Sequence, residues 1–222
     1  MKIEDIKLTI GSYQIIPPST DLRPTDEKLV DGLLNIFSDP LIIKFNDNYE
    51  LKTKFEAEER IYNIVLAYQQ RLSFTYLLFD LEKDKLIGTI ELLPPFRVHT
   101  FYEKISKYCF STGNAIRNNI WNIEYYLNQE YWKKGIMIQF VSAITEKVFL
   151  NGGKCLTALC DDQNLGSVKL LSKLNFIKKI KYNDKRNQSL WIKKLAKARL
   201  TPFYIFPCRP NNIVNKIRSA DS

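Results

Sequence analysis

Trp121-Asn122-Ile123-Glu124-Tyr125-Tyr126-Leu127-Asn128-Gln129-Glu130-Tyr131-Trp132-Lys133-Lys134-Gly135-Ile136-Met137 is the first half of the stretch that decides the fold, and Asp161-Asp162-Gln163-Asn164-Leu165-Gly166-Ser167 is the second. The whole block ends at Phe176. It reads strand, Gly-bearing turn, amphipathic helix, strand, turn, short helix. The first turn sets backbone N–H groups without intrahelical partners at the start of a helix, a natural seat for a phosphate. The second sets the Asn164 and Ser167 side chains one strand further on. Together they point to a cofactor site that straddles two neighbouring βα units.

At these residues the chain resembles the acetyl-CoA site of the GCN5-related N-acetyltransferases (GNAT). The resemblance is greatest to the branch that acetylates ribosomal-protein N-terminal alanine. That branch carries a pattern close to G-Y-W-L-x-P-x-Y-W-G-K-G-Y-A, and here Glu124 to Met137 stands in its place. It then carries D-P-E-N-x-x-S-x-x-x-L-x-K-x-G-F. Here the corresponding residues are Asp161 to Ser167, then Leu171, Lys173, Asn175 and Phe176. Two motifs in order and at the right spacing are far more specific than one Gly-rich turn.

The resemblance implies an α/β fold with a mixed sheet, helices on both faces, and two central parallel strands that splay apart. It implies acetyl-CoA as cosubstrate, no metal, and transfer of the acetyl group to a primary amine by direct attack. The amine would belong to a protein N-terminus or a small molecule. The splayed strands would be Trp121–Leu127 and Cys155–Cys160, with pantetheine in the gap and a backbone N–H near Leu127 on the thioester oxygen. Trp132, Lys133, Lys134, Gly135, Ile136 and Met137 would form the pyrophosphate turn. Asn164 would reach pantetheine. Ser167 would lie near the sulfur as proton donor, since Leu171 stands where many of these enzymes carry Tyr. The usual base is missing, because Asn122 replaces a Glu. Glu124 shares its strand face and is the first candidate, with Glu91 second. Lys133 and Met137 replace small residues, which crowds the turn. Two other readings stay open, a silent GNAT-fold binding or regulatory module and an acyltransferase using another acyl-CoA. A homodimer is also open.

Composition narrows the class. The chain has 222 residues, 45% of them hydrophobic, enough for one domain with a full core. No apolar run approaches the ~20 residues of a membrane span. Met1-Lys2-Ile3-Glu4-Asp5 lacks a signal core, so a cytoplasmic location is expected. Cys109, Cys155, Cys160 and Cys208 show no C-x-x-C spacing, and His99 is the only imidazole. That set suits neither zinc nor a Cys-His nucleophile. The net charge is +9. Between Lys169 and Arg199 lie eleven Lys and Arg residues against one acid, Asp184. A basic rim suits a polyanionic cofactor. No nucleic-acid motif accompanies it, and direct nucleic-acid binding is not expected.

The remaining elements follow from local signals. Tyr13–Pro17 reads as a first strand. Thr25 is placed to cap a helix from Asp26 to Phe37, and Asp39-Pro40 stops it. In the resembling family the Ser38-Asp39-Pro40 turn leads towards the acceptor groove. Lys52–Leu72 reads as a second helix with Phe55, Tyr62, Val65, Leu66 and Gln69 on one side. Phe74–Phe79 and Leu86–Leu93 form a hairpin. Residues 96–120 read as an insertion near the acceptor side, with a short helix near Phe101–Tyr108. Ile136–Leu150 is a helix whose core stripe is Met137, Phe140, Val141, Ile144 and Val148. Ser167–Leu174 is a short helix that Asn175 ends. Phe176–Tyr182 and Ser189–Leu195 form a closing hairpin. Residues 1–195 are read as one domain, and 196–222 as an extension in which Pro202, Pro207 and Pro210 forbid a long helix.

Overall fold

The computed structural model describes residues 3–18, 22–46, 49–101, 119–183 and 187–195. Among the described residues eight strands form one sheet: β1 (Leu8–Ile10), β2 (Tyr13–Ile16), β3 (Phe74–Asp80), β4 (Lys85–Leu93), β5 (Ile120–Leu127), β6 (Cys155–Asp161), β7 (Ile177–Asn183) and β8 (Gln188–Lys194). Their order across the sheet is β1-β2-β3-β4-β5-β6-β8-β7. Every neighbouring pair is antiparallel except β5 and β6, which run parallel. This is the mixed α/β architecture that the resemblance implied.

Helices cover both faces. On one face lie α1 (Glu27–Phe37), the single turn α2 (Pro40–Ile43) and α3 (Lys54–Gln69). Leu29, Leu33 and Ile36 of α1 pack with Ile61 of α3 on Leu77 and Leu86 of the sheet. Gly32 allows this approach, because a Cβ there would stand 2.6 Å from Leu86 Cβ. Further along the same face, Val98 of α4 (Pro95–Phe101) covers Ile120, Cys155, Leu190 and Ile192. The opposite face carries α5 (Ile136–Leu150) and α6 (Leu165–Lys173). There the stripe Met137, Phe140, Val141, Ile144 and Val148 lies in the largest core cluster, with Tyr76, Ile90, Ile123 and Leu156.

A register shift between Leu78 and Phe79 makes Ile87 an extra residue on β4. Side chains alternate across a strand, so one extra residue exchanges the two faces. Leu86 therefore packs under α1, while Ile87, Ile90 and Leu92 pack towards α5. The same exchange turns Glu91 to the α1–α3 face, directly opposite Glu124 of β5.

Several expectations are corrected. A strand, β1, precedes the one read as first. Asp26 caps α1, not Thr25: its side chain accepts from Lys28 N at 3.0 Å. Asp39-Pro40 ends α1 and also starts α2, since Asp39 accepts from Leu41 N at 2.8 Å. The second long helix begins at Lys54 because Thr53 and Glu56 form a reciprocal capping box. It ends at Gln69, and its buried residues are Ala57 and Ile61. Phe55 and Tyr62, which share one side of it, are 73% and 56% exposed. The helix after β4 spans Pro95–Phe101, and the rest of the helix read near Phe101–Tyr108 lies outside the described residues. So does the 196–222 extension.

Candidate functional site

The pairing of β5 with β6 covers only Ile120↔Cys155, Trp121↔Leu156 and Asn122↔Thr157. Beyond Asn122 the two strands part. A cleft of about 950 Å³ opens there, lined by both strands, by the first turns of α5 and α6, and by Leu41, Ile42, Phe45, Asn46 and Tyr49.

Backbone groups of β5 face this gap. Asn128 N donates to Ile87 O at 2.8 Å, so hydrogen-bonded pairs with β4 fall at alternate residues, Tyr126 and Glu124 among them. The N–H and C=O groups of Tyr125 and Leu127 therefore point towards β6, where no described strand pairs with them. The Leu127 carbonyl accepts from Trp132 Nε1 at 2.7 Å. Trp132 thus ties the end of β5 to the turn, and the Leu127 N–H is the group directed at the gap.

The turn itself is held from below. Tyr131 is buried, and its hydroxyl donates to the buried Asp80 at 3.0 Å. Lys133 (φ 61°) and Gly135 (φ 75°) both take the left-handed conformation. That explains why the resembling family prefers Gly at the position of Lys133: glycine has no Cβ penalty there. Gly135 is the N-cap of α5 and supplies no side-chain cap. A Cβ on Gly135 would meet nothing within 4 Å. The first N–H groups of α5 thus open on the cleft with the positive end of the helix dipole. Met137 reaches the cleft wall but is buried, with its side chain in the core cluster. Lys134 stacks its ammonium 4.8 Å from the Tyr131 ring.

On the far wall, Asn164 caps α6, accepting from Ser167 N at 3.1 Å. Its Oδ1 is used in the cap, and Nδ2 is the group that can reach a ligand amide. Ser167 Oγ lies 2.6 Å from the Tyr125 hydroxyl. This contact joins β5 to α6. Burial raises the Tyr125 phenol above its ordinary range. Cys160 lines the same wall, and burial pushes its thiol up to about 11.

The α1–α3 face holds a different chemistry. Asn122 and Glu124 point the same way, with Asn122 Nδ2 at 3.4 Å from Glu124 Oε1. Asn122 also accepts from Thr157 Oγ1 at 3.0 Å. The Tyr49 hydroxyl donates to Glu124 Oε2 across a long 3.4 Å. The charge of Glu124, then burial, pushes the Tyr49 phenol up. Asn46 Nδ2 donates to the Tyr126 hydroxyl. The rings of Phe37, Tyr49 and Tyr126 pack 4.9 to 6.3 Å apart. The Arg60 guanidinium lies over Phe37 at 3.9 Å and Tyr49 at 4.6 Å. Burial raises the Glu91 carboxyl above its ordinary value, against hydrogen bonding from Ser73 and the charges of Arg60 and Arg97. Two carboxylates directly opposite repel.

The structure gathers Glu124, Leu127, Trp132, Lys133, Gly135, Ile136, Met137, Asn164 and Ser167 around one cleft. Lys134, named with them in the turn, packs on Tyr131 instead of lining it. Sequence reasoning missed Tyr125, Tyr49, Arg60 and Asp80. Tyr125 stands inside the quoted motif, and strand alternation opposite Glu124 was the signal for it. The other three come from distant segments that only the fold brings near.

Parallel strands that part beside a helix N-terminus without a side-chain cap leave a cleft into which backbone N–H groups open. Residues 20–177 match the family model of the acetyltransferase (GNAT) domain, and the chain belongs to that family. It is an N-acetyltransferase by membership. The structure is similar to the ribosomal-protein-S5-alanine acetyltransferase from Vibrio fischeri at TM-score 0.61 and 19% identity, covering 86% of this chain and 97% of that one. It is similar to the aminoglycoside acetyltransferase AAC(6')-Ib in complex with coenzyme A at TM-score 0.59 and 14% identity, covering 82% and 95%. It is also similar to RimL, a ribosomal L7/L12 alpha-N-protein acetyltransferase in complex with coenzyme A, at TM-score 0.57 and 14% identity, covering 86% and 98%. At these identities the likeness shows the fold. No curated protein sequence matches the chain.

Proposed function

We propose that the chain binds acetyl-CoA in the cleft between β5 and β6 and transfers the acetyl group to a primary amine by direct attack. The observation that carries this reading is the end of β5–β6 pairing at Asn122↔Thr157, beside the uncapped N-terminus of α5. Pyrophosphate would meet the first N–H groups of α5, with the Lys133 ammonium nearby. The Leu127 N–H would hold the thioester oxygen as charge develops on it. The Asn164 Nδ2 would meet a pantetheine amide.

The acceptor would enter from the α2 side, where Leu41, Phe45, Asn46 and Tyr49 line the cleft. Glu124 takes the proton that the amine loses, directly or through water. Glu91 is the weaker candidate, since burial raises its carboxyl and disfavours the ionised form that a base needs. Cys160 does not become an acyl carrier, because a thiol raised to about 11 supplies little thiolate near neutral pH. That supports direct attack. A protein N-terminus suits this site better than an alkylamine: an α-amine titrates at about 8 and a lysine-type amine at about 10.4, so one carboxylate must do less.

Calorimetric titration with acetyl-CoA tests the cofactor, and thiol release with peptide and small-amine acceptors tests the transfer. Micromolar binding with acceptor-dependent thiol release is expected. Absence of binding would sink the reading and leave a GNAT fold kept for another task.

A further inference from the structure

We propose that Tyr125 is a positioning residue that aims the Ser167 hydroxyl at the cosubstrate sulfur. This rests on the cofactor reading above. The two hydroxyls lie 2.6 Å apart and either can donate, but only one orientation leaves Ser167 useful. If Ser167 donates to Tyr125, its proton is occupied. If Tyr125 donates to Ser167 Oγ, the Ser167 O–H is freed from the phenol and faces the cleft that both residues line, with the Cys160 thiol as its neighbour until a cosubstrate sulfur arrives. A phenol is much the stronger acid of the two, which favours the second arrangement, and donating into Oγ polarises the serine O–H further. The position of Ser167 is fixed independently, because its N–H is bound by the Asn164 cap at 3.1 Å. The backbone and the hydroxyl of one serine are thus held from two elements.

The role follows from the leaving group. When the amine nitrogen bonds to the acetyl carbon, the C–S bond breaks and its electron pair stays on sulfur. A thiol titrates near ~8.5, so the thiolate leaves as an anion that needs a hydrogen bond at the moment of departure. Ser167 donates it, and solvent later supplies the proton. Burial holds the Tyr125 phenol protonated, so it donates a hydrogen bond and keeps its proton throughout.

The test needs no acceptor. CoA affinity is measured at about pH 7 and pH 9 and divided by that of desulfo-CoA, which cancels the phosphates. Cys160, the nearby thiol, is held up to about 11 and stays protonated across this window. The wild-type ratio should rise with pH, because the bound thiolate gains a hydrogen bond. In Tyr125→Phe, which keeps the ring, that gain should shrink about threefold. In Ser167→Ala it should vanish, and the double variant should match Ser167→Ala, since Tyr125 acts only through Ser167. An undiminished gain in Tyr125→Phe, or a double variant worse than Ser167→Ala, would overturn the assignment while leaving the cofactor reading intact. Failure of wild type to bind CoA would overturn both.

Discussion

Lys133 holds φ at 61° in a turn where the family favours glycine, and it does so beside the N-terminus of α5. A side chain in this conformation costs about 1–2 kcal/mol, which the proposed contact of its ammonium with the cosubstrate phosphates would offset. Lys133→Gly should therefore melt no lower than the parent, while its acetyl-CoA affinity falls and becomes less salt-dependent. Lys133→Val, β-branched at positive φ, should lose about 1–2 kcal/mol in urea unfolding. A less stable Gly variant would show that the strain is not there. Asn175 repeats the pattern at φ 60°: it stands for the family glycine before Phe176, and it was readable because Asn tolerates this region next best after Gly. Glu124 makes a different residue-scale prediction. Glu124→Gln should keep CoA affinity and lose about a hundredfold in turnover near neutral pH; full activity would retire it as the base.

Elements were legible where one periodicity ruled. Ile136–Leu150 was read as a helix and is one, because Met137, Phe140, Val141, Ile144 and Val148 all face one core. The helix α3 was harder, because its apolar residues are not its buried ones. Ala57 and Ile61 face inward while Phe55 and Tyr62 face out, so counting large hydrophobics picks the wrong side. The pairing of β4 with β5 was hidden for another reason. The bulge at Ile87 reverses the alternation of β4, and only the register reveals that Glu91 stands opposite Glu124. This pair has a measurable consequence. Burial raises the folded Glu91 carboxyl above its ordinary 4.5, so the folded state binds that proton more tightly than the unfolded chain. Its favourable contribution is complete below the unfolded value and is lost as pH rises through the folded one. Glu91→Gln cannot ionise. Its stability relative to wild type should therefore grow as pH climbs from about 4.5 and level off above the folded value, read as urea midpoints across pH 4 to 8. A difference that does not change with pH would mean that Glu91 is not held protonated.

At the scale of the molecule, two short motifs were enough to announce the parting strands at the centre of the sheet, through the family resemblance that they carry. They could not announce the end of the cleft proposed for the acceptor. Phe37, Tyr49 and Arg60 join Glu124 there from segments with no motif of their own, and their meeting is a product of α1 and α3 packing on one face. The net charge of +9 acts on this scale too. A basic molecule with an open helix N-terminus attracts a polyanion, and a ligand that binds only the native state must stabilise it. At a hundred times its Kd, acetyl-CoA should add about 2.7 kcal/mol, or very roughly 5–10 °C for a domain of this size. Because part of the attraction is long-range, the shift should shrink when salt is raised from about 0.05 to 0.5 M, where the Debye length falls below ~5 Å. Desulfo-CoA should give nearly the same shift and the same salt dependence, since it keeps every phosphate. A melting temperature indifferent to millimolar acetyl-CoA at low salt would remove the cosubstrate from this cleft, and with it the chemistry assigned to Glu124, Leu127 and Ser167.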